Sequence, residues 1–448
     1  MDFSSAPIRL LIGRGDTHCA CGRPHTTELS FVRIEPGATR AVPEALARAG
    51  IARPFIVCDA NTRQAAWPTL EPVLREANIP YTLHILPGGR AEPDERAVGS
   101  LCMAFDRRCG GILAVGSGVI NDCCKVLAHA VGLPSVSFAT APSMDGYASN
   151  SSSMIQGGLK VSLYNACPAA IVGDIDIIRN APLRMLWAGL GDMLAKYVSL
   201  CEWRVARLVT GEYYCENIAG LVRASLRKVA RNAERLAGRD PEAVRAVMEG
   251  LVLSGVAMSF AKMSRPASGL EHYFSHVWEM MAFAAGKAPD LHGIQVGVGT
   301  YLTLRLYEQV RLIQPDREKA LRFVAAFDEK AWEAQTRGIF GKAAESMIEM
   351  ERTLYHKNDP KGHAKRLGRI LECWPMILRI IEEELPPARD ILRLAQTLGM
   401  PILPEEIGIA REDVARAFLG SRDIRDKYLT SSLLWDLGLL YEIDLPLS

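Results

Sequence analysis

Up to about residue 180 the apolar positions fall in short β-branched runs separated by stretches of helical spacing. That alternation calls for a parallel sheet with crossover helices. The runs PFIVCDA (54–60), YTLHIL (81–86), GILAVGSG (111–118), SVSFAT (135–140) and AAIVGDI (169–175) read as strands. Residues 61–77, 92–109 and 121–131 carry apolar side chains at helical spacing and supply the crossovers. The segment SSSMIQGGLKVSLY (151–164) interrupts the rhythm: two polar strand-like pieces flank Gly157-Gly158, which predicts a hairpin.

After Asn180 no strand-like run survives, and amphipathic helices follow one another to about residue 395. Pro182 and the pair Asp240-Pro241 mark helix starts, and Leu221, Val222, Leu226 and Val229 keep helical spacing along another helix. The expected architecture is an α/β domain with a Rossmann-like parallel sheet over residues 1–180, then an all-α domain over 181–448, with a hinge near 176–185. The charged stretches 315–323 and 354–369 read as solvated helix faces and loops.

Charge narrows the function classes. The 52 basic and 51 acidic residues give a net charge of +1, so nucleic acid and acidic membranes are not expected partners. No apolar run reaches the roughly 18–20 residues needed to span a bilayer, and the opening MDFSSAPIRLLIG is too short in apolar character for a secretion signal. Eleven cysteines, an odd number with Cys123 beside Cys124, do not form a disulfide framework. A soluble cytoplasmic protein is expected.

Three segments carry candidate chemistry. The run GILAV ends in Gly116-Ser117-Gly118-Val119-Ile120-Asn121 before a helix. Glycines at such a turn let a phosphate approach backbone N–H groups. Asn121 stands where a third glycine would complete the dinucleotide fingerprint, so a plain strand-to-helix turn stays an equal alternative. Asp59, at the end of the first clear strand, serves either as a ribose acceptor or as a helix cap. Thr140, Ala141, Pro142 and Ser143 end another strand, where open α/β sheets place ligands, while Asp145-Gly146 is also a common turn pair.

His272, His276 and His292 form the third and most informative group. The first two lie one turn apart on a helix face, and the third opens the next helix. Converging imidazoles suggest a divalent metal, with Asp192 in the glycine-rich AGLGD segment a candidate carboxylate ligand. His18, Cys19, Cys21 and His25 also crowd together, but CxC spacing is tighter than that of ordinary zinc sites and no second knuckle follows. A glycine-turned hairpin is expected there instead. No GxSxG elbow exists, and no cysteine neighbours the histidines.

With GSGVIND (116–122), TAPSMDGYAS (140–149), APLRMLWAGLGDMLAK (181–196), SGLEHYFSH (268–276) and LHGIQVGVG (291–299) in hand, the chain resembles the sn-glycerol-1-phosphate dehydrogenase family. More closely it resembles the bacterial AraM-like branch, within the superfamily of metal-dependent glycerol dehydrogenases and dehydroquinate synthases. The resemblance covers about residues 50–310 and implies a dehydroquinate synthase-like fold with reaction in an interdomain cleft. It implies that Asp192, His272 and His292 bind the metal, and that Asp145 and His276 face the substrate. It also implies that Asp59, Gly116, Ser117, Gly118, Val119, Ile120, Thr140, Ala141, Pro142, Ser143 and Ser149 hold NAD or NADP. Zinc or nickel is the expected metal, with iron or manganese as alternatives, because one Asp/His/His set serves all four. The chain departs from its relatives in two places: the separation of His272 from His292 is longer, and Ile294 replaces a usual Glu.

The expected reaction interconverts sn-glycerol 1-phosphate and dihydroxyacetone phosphate, with His276 relaying a proton. Lys160 on the hairpin, Lys262, Arg265 and Lys287 are the candidate phosphate partners. A general polyol or glycerol dehydrogenase, a dehydroquinate synthase-like cyclase and a catalytically silent metal-binding protein are the alternatives. A homo-oligomer, dimer or larger, is expected.

Overall fold

The computed structural model describes residues 2–12, 18–88, 91–157 and 159–445. The chain forms two compact units that interleave along the sequence. One comprises Met1–Met193 with Cys215–Ala267, the other Leu194–Tyr214 with Ser268–Ser448.

Among its described residues the first unit holds eight strands: β1 (Phe31–Glu35), β2 (Pro54–Cys58), β3 (Thr82–Ile85), β4 (Gly111–Gly116), β5 (Ser135–Ala139), β6 (Ser151–Gln156), β7 (Leu159–Tyr164) and β8 (Ala170–Asp174). Six of them make a parallel sheet in the order β1-β8-β5-β4-β2-β3. Every residue of β2, β4, β5 and β8 is buried, which is why these strands read as unbroken apolar runs rather than alternating ones. Within them successive side chains still go to opposite faces: Ile56, Leu113 and Val136 enter one core, Phe55, Val57, Ile112 and Ala114 the other. From β2 the chain moves outward to β3, then returns to β4 and moves the opposite way to β5 and β8. The winding therefore reverses between β2 and β4, and the carboxyl ends of strands at such a reversal are where open α/β sheets bind ligands.

Three helices anticipated between strands are present as Ala60–Glu76, Glu95–Ala104 and Gly118–Val131. The hairpin is present as β6 and β7, with Ile155 opposite Lys160; Gly158 of its turn lies outside the described residues. Strand β1 is a feature the sequence reading did not include. Phe31 and Ile34 are buried and its other three residues only partly so, and it sits at the sheet edge, paired among the described residues with β8 alone. The expected hairpin over residues 18–25 is replaced by a single reverse turn, in which Gly22 takes φ +80° and its N–H donates to the Cys19 carbonyl at 2.9 Å.

The same unit contains the helices Glu216–Asn232 and Pro241–Ala261. Pro241 occupies the first turn, and Asp240 caps the start by accepting from the N–H groups of Glu242 and Ala243 at 3.0 Å each. This 21-residue helix is long and apolar enough to cross a membrane, yet 78% of its most apolar window is buried inside the protein. It is a core helix of the unit.

The second unit is built from helices, among them Lys196–Thr210, Leu270–Ala284, His292–Val310 and Pro360–Glu384. Helices continue past residue 395, as Arg411–Ser421 and Thr430–Asp436. The stretch 354–369 is not simply solvated. The Lys357 ammonium donates to the carbonyls of Arg422 and Arg425, and burial lowers its pKa to about 8. Arg366 makes a two-pronged pair with Asp436 at 2.8 Å, and His363 Nε2 donates to the Asp436 carbonyl at 2.9 Å.

Candidate functional site

In the first unit, the candidate cofactor residues gather where the winding of the sheet reverses. Asp59 follows β2, the 116–120 turn follows β4, and Thr140–Ser143 follow β5. Asp59 caps its helix, accepting from the Thr62 N–H at 2.7 Å while the Thr62 hydroxyl accepts from the Asp59 N–H at 3.0 Å. Ser117 stands at the N-cap of the helix Gly118–Val131 with no side-chain cap bond, so its hydroxyl does not occupy the first-turn amides, the kind of helix start that can receive an anion. A Cβ on Gly118 would come within 3.0 Å of Met144 Cγ, so this turn and the loop after β5 approach closely.

A buried polar network fixes that approach. Lys125, only 1% exposed, pairs with Asp122 at 3.2 Å and donates to the carbonyls of Gly146 and Ser149 at 3.2 and 3.4 Å, and to that of Ser151. Asp122 in turn accepts from the Ser153 N–H at 3.0 Å. Ser149 is inside this network, its hydroxyl donating to the Gly146 and Ser151 carbonyls. Next to it, the Asp145 N–H donates to Asp192 Oδ2 at 2.9 Å and Ser254 Oγ donates to Asp145 Oδ2 at 2.9 Å. The sequence reading missed Lys125 and Asp122, whose i, i+3 spacing on an otherwise apolar helix was the available signal.

In the second unit the three histidines converge. Ring centroids lie 5.3 Å apart for His272 and His292, 5.6 Å for His276 and His292, and 6.3 Å for His272 and His276. His272 Nδ1 donates to the Glu271 carboxylate at 2.7 Å, since a carboxylate can only accept. His292 Nδ1 donates both to Ser275 Oγ at 3.0 Å and to Glu279 Oε1 at 3.3 Å, because the Ser275 hydroxyl hydrogen goes to Gln295 Oε1 at 3.2 Å. Both imidazoles thus hold their proton on Nδ1 and their lone pair on Nε2, the arrangement of a metal-ligating histidine backed by an outer acceptor.

Glu279 was not anticipated. It is buried on the His272/His276 helix, approaches His276 Nδ1 at 3.7 Å, and with His276 and His292 offers donor atoms all within 4.8 Å of one another. Its signal was the i, i+3 spacing from His276. Ile294, the departure noted in the sequence, is buried, and the outer partners of His292 are Ser275 and Glu279. Of the candidate phosphate partners, Lys160 lies on β7, Lys262 and Lys287 are exposed, and Arg265 is buried.

Residues 33–182 match the iron-containing alcohol dehydrogenase family. A glycerol-1-phosphate dehydrogenase [NAD(P)+] of Halalkalibacterium halodurans is 33% identical over 296 residues, 65% of this chain and 74% of that protein. The enzyme of the same name from Bacillus licheniformis is 26% identical over 427 residues, 94% of this chain and 93% of the relative. Among solved structures, glycerol dehydrogenase from Schizosaccharomyces pombe superposes with a TM-score of 0.59 at 16% identity, covering 92% of this chain and 89% of its own, a likeness of fold. The reversal-point turn, the paired imidazoles and these similarities together place the chain in the glycerol-1-phosphate dehydrogenase family, among the NAD(P)-linked, metal-dependent oxidoreductases.

Proposed function

We propose that the protein interconverts sn-glycerol 1-phosphate and dihydroxyacetone phosphate with NAD or NADP. The observation that carries this is the pair His272 and His292, each with Nδ1 held by an outer acceptor. These two imidazoles, with Asp192 as the carboxylate that the family likeness adds, bind one divalent ion, zinc or nickel before iron or manganese. When bound, the ion supplies Lewis acidity toward the substrate's secondary oxygen and the nicotinamide supplies the hydride exchange at its carbon.

The chain's own residues do the rest. The N–H groups of Gly118, Val119 and Ile120 receive the cofactor pyrophosphate beside Gly116 and Ser117, and Asp59 accepts from a ribose hydroxyl. Thr140, Ala141, Pro142 and Ser143 line the cofactor after β5, while Ser149 and Lys125 hold that loop in place from behind. Asp145 orients the substrate, its carboxylate set by Ser254. His276 moves the proton of the secondary hydroxyl, with Glu279 beside its Nδ1 to stabilise the charged ring. Lys160 is the proposed partner of the substrate phosphate.

The deciding experiment is oxidation of NADH and NADPH with dihydroxyacetone phosphate against dihydroxyacetone, with and without each added metal. A strong preference for the phosphorylated ketone is expected, since each charge-assisted contact contributes roughly 1.5–3 kcal/mol. Lys160→Met should shrink that preference. Equal rates on both ketones would reduce the protein to a general polyol dehydrogenase.

A further inference from the structure

A second cluster of metal-binding side chains lies in the first unit. Cys19, Cys21, His25 and Cys215 present three sulfurs and one ring nitrogen, all within 4.8 Å of one another. Cys19 Sγ is 3.7 Å from Cys215 Sγ, and His25 Nε2 lies 3.2 Å from Cys21 Sγ and 3.4 Å from Cys215 Sγ. A tetrahedral zinc ion, with Zn–S of about 2.3 Å and Zn–N of about 2.0–2.1 Å, separates two ligand sulfurs by about 3.8 Å and a sulfur from a nitrogen by about 3.6 Å. These three edges match that figure to within a few tenths of an ångström, and every ligand atom lies within 4.8 Å of the others. A disulfide does not describe the group, because its sulfurs would be bonded at about 2.05 Å and His25 would have no reason to stand between Cys21 and Cys215.

The surroundings are those of a metal site. His25 Nδ1 donates to the Phe260 carbonyl at 3.3 Å, which fixes the tautomer and leaves the lone pair on Nε2, the atom facing the sulfurs. Asn217 Nδ2 donates to Cys19 Sγ at 3.3 Å, as a thiolate requires. Cys215 occupies the N-cap of the 17-residue helix Glu216–Asn232, where the helix dipole favours negative charge. The Cys19–Gly22 turn folds Cys21 back beside Cys19, and the rings of Phe3 and Phe260 pack on His25 at 5.7 and 5.8 Å.

We propose that Cys19, Cys21, His25 and Cys215 bind a structural zinc ion. Three thiols release their protons on binding, so the centre carries a formal charge of 2 − 3 = −1, which the Asn217 amide and the helix end offset. All four coordination positions are filled by protein, so no place remains for substrate or a reactive water, and the site is closed. Its work is mechanical: it ties the segment leading into the edge strand β1 to the start of Glu216–Asn232 and, through His25, to the end of Pro241–Ala261. His18, the fourth soft ligand of the sequence cluster, is not part of it. Tight CxC spacing and the lack of a second knuckle counted against zinc in the sequence; the remaining ligand, Cys215, lies 190 residues beyond His25.

This site stands independently of the reaction proposed above. The test uses the full-length wild-type protein grown with cobalt(II) in place of zinc. A tetrahedral centre with three thiolates gives an intense sulfur-to-cobalt charge-transfer absorption that a nitrogen and oxygen site lacks. That band is expected in wild type and in His272→Ala, and is expected to weaken and shift in Cys21→Ser, whose side chain is only partly buried. Zinc K-edge absorption of the wild-type protein should show sulfur neighbours near 2.3 Å. Absence of both the charge-transfer band and the sulfur shell in the wild-type protein would overturn the proposal, whether or not any cysteine variant folds.

Discussion

The two clusters differ in donor chemistry and in access. Around Cys215 the donors are mostly sulfur, and three of the four residues are closed off, with Cys19 at 8%, Cys215 at 1% and His25 at 0% exposure, while Cys21 is partly buried. Around His292 the donors are nitrogen and oxygen, and the side chains of His276 and His292 remain 18% and 27% exposed. Sulfur-rich, fully occupied centres hold chain segments together, whereas imidazole and carboxylate centres with an open side admit substrate. Each cluster draws on a separate compact unit for the groups that orient its histidines.

The contrast predicts opposite responses to mutation. His272→Ala or His292→Ala should abolish turnover, with loss of the metal at that centre and an apparent Tm within a few degrees of wild type; normal turnover in either variant would sink the assignment. Cys19→Ala should do the reverse. Its apparent Tm should fall by roughly 5–10 °C, equivalent to ~2–3 kcal/mol for units of this size, while kcat of the folded fraction stays within about twofold of wild type. A thermal scan paired with an initial-rate assay separates the two patterns, and a cysteine variant that loses activity without losing stability would erase the distinction.

Smaller effects sharpen it further. Glu279→Gln removes the negative charge of an outer acceptor of His292 rather than a proposed ligand, so metal affinity should weaken by about 10–100-fold. Excess metal should restore occupancy while a loss of rate persists from the weakened support of His276, and elemental analysis across a metal titration reads the shift. Gly118→Val touches neither centre. It should raise the KM for the nicotinamide cofactor by about tenfold, close to 1.4 kcal/mol, with both metals retained; the flexible Met144 side chain can yield to the new Cβ.

How much was legible followed the range of each interaction. The buried strands β2, β4, β5 and β8 declare themselves because burial on both faces imposes a continuous apolar run. Strand β1 does not, since FVRIE is half-exposed and becomes a strand only by pairing with β8. His272 and His276 are visible at i, i+4 on one helix, and His292 opens the next. Glu279 was hidden by the abundance of carboxylates on helix faces, and its meaning appears only when His292 folds against it. Cys215 carried no local signal at all. Likewise the sequence marks where strands give way to helices, but nothing in helical periodicity says that Glu216–Asn232 and Pro241–Ala261 pack with the sheet-bearing unit.

The pairing of β1 with β8 sets an order on biosynthesis. Phe31 meets Ala170, 170 − 31 = 139 residues later in the chain, so the edge strand waits undocked while the strands and helices between are translated. His25 waits longer still, for Cys215 and then for the Phe260 carbonyl. Contacts of such long sequence separation are slow to form and leave nascent strands exposed to wrong partners. Residues 19–35 are therefore made before the partners they dock on and are among the last parts of the first unit to fold, and the zinc site proposed above adds the prediction that free zinc in the growing cell raises the share of newly made chain that reaches the native state.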